Sequence, residues 1–398
     1  MMRTSNTVLA TLLMIFTAAL LSATDFGLEL KNTGGIEKVE DAEFYTDHKA
    51  TLWATIPFNN ANSNSLAIEG SFYASKPAGV DEFDYYVDVD LFRLSLTAQQ
   101  NEKGKIIVDA GRFPVADATG ILLSQGLDGV EVRGIRSFGN FSFLAGYTGL
   151  LNARQEKNLM TEDDKDDVMD ILTDDIYALG AKRAVAKVTF QFPELLGGAD
   201  LIIEALGQYD LREQLDSDAY ETVHTGYGTI AVNGPITTSV FYSLSGTFQT
   251  GVLDSDDTYS EHALLGVARV EAFPVPVANI FAEFVYTTGE NDFFSHLLPI
   301  TFQSAGTLYG AGYGNLMRAK TGVLYIPMNV LNIDFGASLF MYSKETDEAD
   351  GLYSATEVNA GATFKATSDL RLRFDGTLLF PKDEDMLYQA EITVVFNL

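Results

Sequence analysis

The chain has no cysteine, a single tryptophan and ten prolines among 398 residues, and its 26 lysines and arginines are outnumbered by 55 carboxylates. Without cysteine there is no disulfide, no thiolate metal site, no cysteine nucleophile and no lipobox for a lipid anchor. A formal net charge of −29 with no basic stretch excludes nucleic acid as a partner, because phosphates are repelled. Histidine is scarce as well. His48, His224, His262 and His296 are scattered, with no two-histidine metal spacing, so neither a metal nor a cofactor is expected. Gly310, Gly312 and Gly314 fall at every second residue, which is not a dinucleotide fingerprint. Asp163, Asp164, Asp166 and Asp167 are read as a solvated acidic loop, because Val168 stands where a calcium loop needs glycine. No nucleophile stands out, and an enzyme is not expected. Long apolar runs are also missing. The longest, 8–21, is shorter than the roughly 20 residues that a spanning helix requires.

What is present is alternation. Tyr388, Ala390, Ile392, Val394, Phe396 and Leu398 share one face, and Gln389, Glu391, Thr393 and Asn397 the other, a period of two that a strand produces and a helix does not. Residues 358–365 and 370–380 repeat it. Further segments are read at 26–31, 45–58, 66–74, 85–97, 105–113, 130–136, 141–148, 176–192, 201–209, 223–231, 236–248, 262–273, 277–287, 316–326 and 331–341. That makes eighteen strands, with sixteen as the smaller count, and no Pro/Ser-rich linker divides them. Ahead of them, Arg3, the apolar stretch 8–21 and Leu21-Ser22-Ala23 have the layout of a cleavable export signal. Residues 1–23 are therefore read as a signal peptide and 24–398 as one all-β domain.

The connections alternate in kind. Those at 57–65, 98–104, 137–140, 193–199, 233–235, 274–276, 327–330 and 367–369 carry about −2 in all. The intervening set, at 32–43, 76–84, 114–125, 150–175, 210–221, 251–261, 288–307, 344–351 and 381–385, carries −27 of the −29. Charge confined to every second connection lies at one end of an up-and-down antiparallel barrel. Outer-membrane barrels have short periplasmic turns and longer outside loops, so the acidic end is expected to face outward. Aromatic residues near the strand ends (Tyr147, Tyr209, Tyr286, Tyr342 and Phe380; Phe58, Phe192, Phe273, Tyr325 and Phe396) suit two interfacial girdles on a transmembrane wall. A water-soluble sandwich would instead have to bury Ile236, Val240, Tyr242, Leu244 and Phe248 against a second sheet.

On this register Arg269, Glu283, Arg318, Lys320, Asp334, Glu357, Lys365, Arg371 and Arg373 face the interior. They either pair across strands and keep a wet wall soluble, or Arg318, Lys320, Lys365, Arg371 and Arg373 form a basic stripe opposite an acidic wall, a field that orients solutes at a constriction. Two loops are candidates to narrow the passage. Glu162, Asp163, Asp164, Asp166 and Asp167 form an acidic loop in which Thr161 is a potential helix cap, with Val168, Ile171 and Leu172 at helical spacing. The stretch 293–313, with Phe293, Phe294, Leu297, Ile300 and Phe302, is too apolar for a freely solvated loop. It is expected to enter the barrel as a constriction or plug, or to pack on a neighbouring subunit.

The segment 388–398, apolar at every second place with Phe396 near its end, resembles the C-terminal signal of outer-membrane β-barrel proteins, although it closes on Leu398 where phenylalanine is usual. The resemblance implies recognition by the barrel-assembly machinery. The strand count, with a long insertion before a late strand, resembles in layout the alginate-export and substrate-specific porin families. No family motif matches residue by residue, so no site is carried over. The expectation is a porin-like channel among membrane lipids that passes small hydrophilic solutes with a weak cation preference, its homo-oligomeric state open. The alternatives are a plugged surface-exposed binding barrel and a dedicated transporter for hydrophobic or saccharide substrates.

Overall fold

The computed structural model describes residues 25–38, 42–59, 64–102, 104–161, 164, 176–212, 222–254, 259–289, 295–345 and 351–398. The signal peptide predicted over 1–23, the helical spacing after Asp164, Glu162, Asp163, Asp166 and Asp167, and Phe293 and Phe294 lie outside these residues.

Eighteen strands follow one another. They are β1 (Asp25–Lys38), β2 (Ala42–Asn59), β3 (Asn64–Lys76), β4 (Asp84–Asn101), β5 (Gly104–Ala116) and β6 (Ser124–Arg136). Next come β7 (Gly139–Tyr147), β8 (Arg183–Leu196), β9 (Ala199–Asp210), β10 (Thr222–Thr237), β11 (Val240–Asp254) and β12 (Tyr259–Val275). The last six are β13 (Ala278–Thr287), β14 (Leu316–Met328), β15 (Leu331–Tyr342), β16 (Tyr353–Lys365), β17 (Leu370–Pro381) and β18 (Leu387–Asn397). Each strand pairs antiparallel with its sequence neighbours, and β18 pairs with β1, so the sheet closes into a barrel without an edge.

The alternation survives intact on the wall. Ile230, Leu244, Phe335, Phe374 and Ile392 all face away from the bore and are at least two-fifths exposed, while Thr229, Thr247, Ser338, Thr377 and Thr393 face in. A continuous outer band of such side chains is far larger than the apolar patches of water-soluble monomers. The long and short connections fall at opposite ends, as the charge pattern predicted.

Three boundaries differ from the sequence reading. The connection expected at 233–235 belongs to the ladder: Asn233 pairs with Ser243 and Pro235 with Phe241, and the turn lies at 238–239. Proline is tolerated there because the register shifts between Pro235 and Thr237. β1 runs on to Lys38 through Gly34 and Gly35, which have no side chains to display the alternation. The segment read as one strand over 176–192 begins only at Arg183. Before it the backbone turns to other partners, with Val87 N donating to Ile176 O (3.2 Å) and Ala153 N to Ala178 O (2.9 Å).

Candidate permeation pathway

The connection between β13 and β14 folds into the bore. Its backbone meets β12 through Ser295 N to His262 O (2.8 Å), and β11 through Leu298 N to Gln249 Oε1 (2.9 Å). On the far side, Thr301 N donates to Leu122 O (3.0 Å), Phe302 N to Lys157 O (2.6 Å) and Gln303 Nε2 to Gly120 O (2.8 Å). The return limb is clasped by two side chains. Arg318 donates to Ala305 O (2.6 Å) and the Tyr313 hydroxyl (2.7 Å). Glu357 accepts the backbone N–H groups of Thr307 (3.0 Å), Leu308 (2.8 Å) and Tyr309 (3.1 Å). The carboxylate can come this close because residue 306 is glycine; a Cβ there would lie 2.7 Å from Glu357 Oε2. Leu297 and Ile300 are buried against Leu122, Leu127 and Val285, which explains why this connection is apolar.

The β7–β8 connection also turns inward, around a buried ion quartet. Arg183 donates to both oxygens of Asp164 (2.8 and 2.7 Å) and lies 3.1 Å from Asp210, while Arg212 reaches Asp210 (2.7 Å) and Asp164 (3.2 Å). Two guanidinium groups and two carboxylates neutralise one another, the condition under which buried charge is tolerated. Asp164 is therefore not a solvated loop residue. It also makes the reciprocal cap that the sequence suggested, accepting Thr161 N (2.9 Å) while Asp164 N donates to Thr161 Oγ1 (3.1 Å).

Glu156, in the same connection, has no cation in contact among the described residues. It accepts from Asn158 Nδ2 and Ala181 N, which ties the two limbs together. Burial pushes its carboxyl from the ordinary 4.5 up to about 8, against the opposing pull of these donors and of Arg183. A folded-state value above the unfolded one means that the folded limb binds the extra proton. Its contribution is complete below about pH 4.5 and is lost as pH rises through about 8. Protease cutting within 148–182 should therefore accelerate as pH rises from about 5 to 8 and level off above that, and Glu156→Gln should flatten that dependence; an unchanged profile in the variant would refute the assignment.

The infolded segments leave one side of the bore free. A cavity of about 520 Å³ lies between β1–β4 and the β7–β8 connection, lined by Lys31, Asp47, Lys49, Tyr73, Tyr86, Arg154, Glu156 and Glu391 among others. A second, of about 370 Å³, is lined by Lys320, Asp334, Asn359, Arg373, Asp375, Gln389 and Glu391. Glu391 lines both.

Strand register orders the charges on this free wall. Lys365 pairs with Arg371, Arg371 with Val395, Val395 with Lys31, and Lys31 with Lys49, which places four cations in one row across the closure of the barrel. Four residues along each strand, Asp334, Gly361, Asp375, Glu391 and Gly35 form a parallel row that is acidic. At about 3.3 Å per residue the rows are roughly 13 Å apart. Arg373 stands between them, 3.4 Å from Asp334 and 2.6 Å from Asp375.

The residues predicted for the interior thus separate into groups. Arg269 and Arg318 both pair with Glu283, and Arg318 and Glu357 hold the infolded segment. Lys320, Lys365 and Arg371 have no ion-pair partner among the described residues. Phe302 lies on the infolded segment, about one-third exposed. Sequence reasoning missed Lys31 and Lys49, whose distance in sequence from β17 hides their adjacency through the β18–β1 seam. It also missed Arg112, which the alternation of β5 assigns to the outside. A lone arginine on a lipid-facing parity is costly, and that cost was the available signal.

A closed eighteen-stranded wall with an apolar outside, a charged bore and two infolded connections defines a porin-like barrel. Among solved structures the chain is similar to OccK2 (OpdF) of Pseudomonas aeruginosa, with 10% identity over 94% of this chain and 97% of that one and a TM-score of 0.63. It is also similar to OccAB4 of Acinetobacter baumannii (10% identity, 94% and 98% covered, TM-score 0.58) and to the outer membrane protein OpdK of P. aeruginosa (9%, 94% and 99%, 0.58). At such identity the likeness is one of fold. No protein-family model and no curated protein matches the chain.

Proposed function

We propose that the protein is an integral outer-membrane channel of the porin type, through which small hydrophilic solutes diffuse passively with a modest preference for cations. The observation that carries this reading is the free side of the bore, where two cavities share Glu391 as a wall residue and a basic and an acidic row run side by side across the same strands. A sealed binding barrel would have no use for a wet wall of that kind. In this reading residues 1–23 direct export, the apolar band contacts membrane lipids, β18 is presented to the barrel-assembly machinery, and no catalysis is involved. The acidic long-loop end faces outward and the short turns face the periplasm.

Cation preference follows from long-range charge. An acidic mouth concentrates cations within about a Debye length, roughly 8 Å at physiological salt, whereas Lys365, Arg371 and Lys31 oppose it locally, Lys49 in the same row being paired with Asp90 (3.1 Å). The reversal potential of the purified channel in a salt gradient should therefore show weak cation selectivity that fades as salt rises. Changing Glu162, Asp163, Asp166 and Asp167 to amides, and sparing Asp164 because it belongs to the buried quartet, should reduce it further. Anion selectivity in the parent protein would give the basic row control of the constriction. No current at all would leave the plugged binding barrel as the better reading.

A further inference from the structure

We propose that the wall between β4 and β5 contains a side portal at the long-loop rim, closed by residues 150–155 and 176–180, through which a single-tailed amphiphile passes between the membrane surface and the bore. The inference goes beyond the channel reading and rests on the membrane orientation given there.

The two strands pair from the turn only as far as Phe92 and Arg112. Beyond that point the only strand paired with β4, which continues to Asp84, is β3, and the only strand paired with β5, which continues to Ala116, is β6 among the described residues. Both strands are built to diverge there. Gly111 has φ 113°, and a Cβ on it would lie 2.0 Å from Phe92 O, so only glycine lets β5 leave at this height. On β4 the register against β3 shifts at the same level, where Glu69 faces Leu91 but Ser71 faces Asp88.

A loop fills the gap where a ladder would otherwise be. Val87 N donates to Ile176 O (3.2 Å), Asn152 Nδ2 to Val87 O (2.8 Å) and Arg154 Nη1 to Tyr85 O (3.1 Å). At the vertex Arg112 binds both oxygens of Asp128 (3.0 and 2.8 Å) and donates to Val89 O (3.1 Å) and Leu150 O (2.6 Å). The strands below are held by a backbone ladder that runs to the turn with one register shift, between Thr97 and Gln99. This closure is held instead by contacts from one connection, mostly made by side chains, Arg154 to Asp84 (2.7 Å), Gln155 to the Tyr86 hydroxyl (2.6 Å) and Arg112 to the Tyr177 hydroxyl (3.2 Å) among them, and opening the portal means releasing these without breaking the ladder below.

Its height makes withdrawal feasible. Arg112 pairs in register with Asp128, and Asp128 with Tyr147, one of the outer aromatic residues, so the gap opens at and above the membrane surface. Water there can satisfy the freed edge of β4, which hydrocarbon could not. The chemistry of the solute follows from the two sides of the stopper. Outside, Leu150, Ile176 and Leu179 are each about half exposed in a connection that is otherwise acidic, beside the stacked Phe72 and Tyr85 rings. Inside, Arg154 of the stopper and the adjoining Glu156 line the 520 Å³ cavity with Lys49. A molecule with one aliphatic tail and a charged or zwitterionic head matches both.

The test uses the full-length protein in planar bilayers with a lysophosphatidylcholine as probe. Because the chain has no native cysteine, a Val87→Cys/Ile176→Cys pair can be joined by a reducible thiol crosslinker without side reactions. Before crosslinking, the lipid should block the current intermittently. Crosslinking should lower the blocking rate several-fold at unchanged open conductance, and reductant should restore it. Asn152→Ala, which removes one seal contact without a crosslink, should raise the rate. A blocking rate indifferent to the crosslink and to Asn152→Ala would mean that the lipid enters by the mouth and would overturn the portal. So would a channel that the lipid never blocks.

Discussion

Replacing residues 295–313 with a short Gly/Ser linker should raise single-channel conductance several-fold and abolish most solute discrimination. An eighteen-stranded wall encloses a bore wide enough for free water, and this connection, running from β12 across to the β5–β6 turn and back to β16, is what narrows it. Glu357→Ala should do part of the same. It leaves three backbone N–H groups without their acceptor, and hydrogen bonds to a charged group are worth roughly 1.5–3 kcal/mol each. The segment should then fluctuate, with noisy openings between the parent and the deletion levels, while the barrel itself stays folded because the substitution removes only the Glu357 side chain and leaves its backbone paired with β15 and β17. Conductance unchanged by the deletion would show that current passes entirely along the β16–β4 wall and that the segment is a filler.

The wall was legible in the sequence because each strand carries its own two-faced pattern. Ile392 and Glu391 reveal their faces without knowledge of any neighbour. Topology was legible for a related reason: the short connections are nearly neutral and the long ones acidic. What alternation does not encode is pairing across the closure. Lys31 and Lys49 belong with Lys365 and Arg371 only once β18 has met β1. Infolded connections were half legible. The apolar character of Leu297 and Ile300 announced burial, but not that Leu122 and Leu127 would be the partners. The spacing from Thr161 singled out Asp164 as a cap partner but not as a buried ion, because its burial depends on Arg183 and Arg212, which enter from another strand and another loop.

Charge on the free wall is consequently a property of the closed barrel. Arg373 is neutralised by Asp334 and Asp375, and Arg318 by Glu283, so two of the five cations expected in the basic stripe contribute little net field. Lys365 and Arg371 retain theirs and gain Lys31 across the seam. A solute moving along this wall therefore meets the acidic row, which includes Glu391, and the basic row about four residues away, and an elongated dipole aligns along the line between them.

The same seam makes the largest expected effect. Removing residues 387–398 should reduce the folded protein in the outer membrane to an undetectable level. β18 is bonded on both sides, from Leu370–Phe396 to Leu379–Leu387 against β17 and from Glu29–Asn397 to Lys38–Tyr388 against β1. Side chains add to the seam: Tyr45 donates to Glu391 Oε2 (2.9 Å), Gln389 Nε2 to the Tyr45 hydroxyl (2.9 Å), and Thr33 and Thr393 share a hydrogen bond (3.0 Å). Without the strand, β17 and β1 face each other across a missing stave, and each backbone group left unpaired in hydrocarbon costs several kcal/mol. β1 and β17 cannot close the gap by pairing directly without a change of shear around the whole barrel. Loss of pairing can be told apart from loss of a recognition signal by restoring a β18 in which the apolar residues are permuted among the outward positions. That strand should rescue folding in detergent refolding assays even if assembly in cells stays slow. Normal outer-membrane levels of the truncated chain would mean that seventeen strands close on their own.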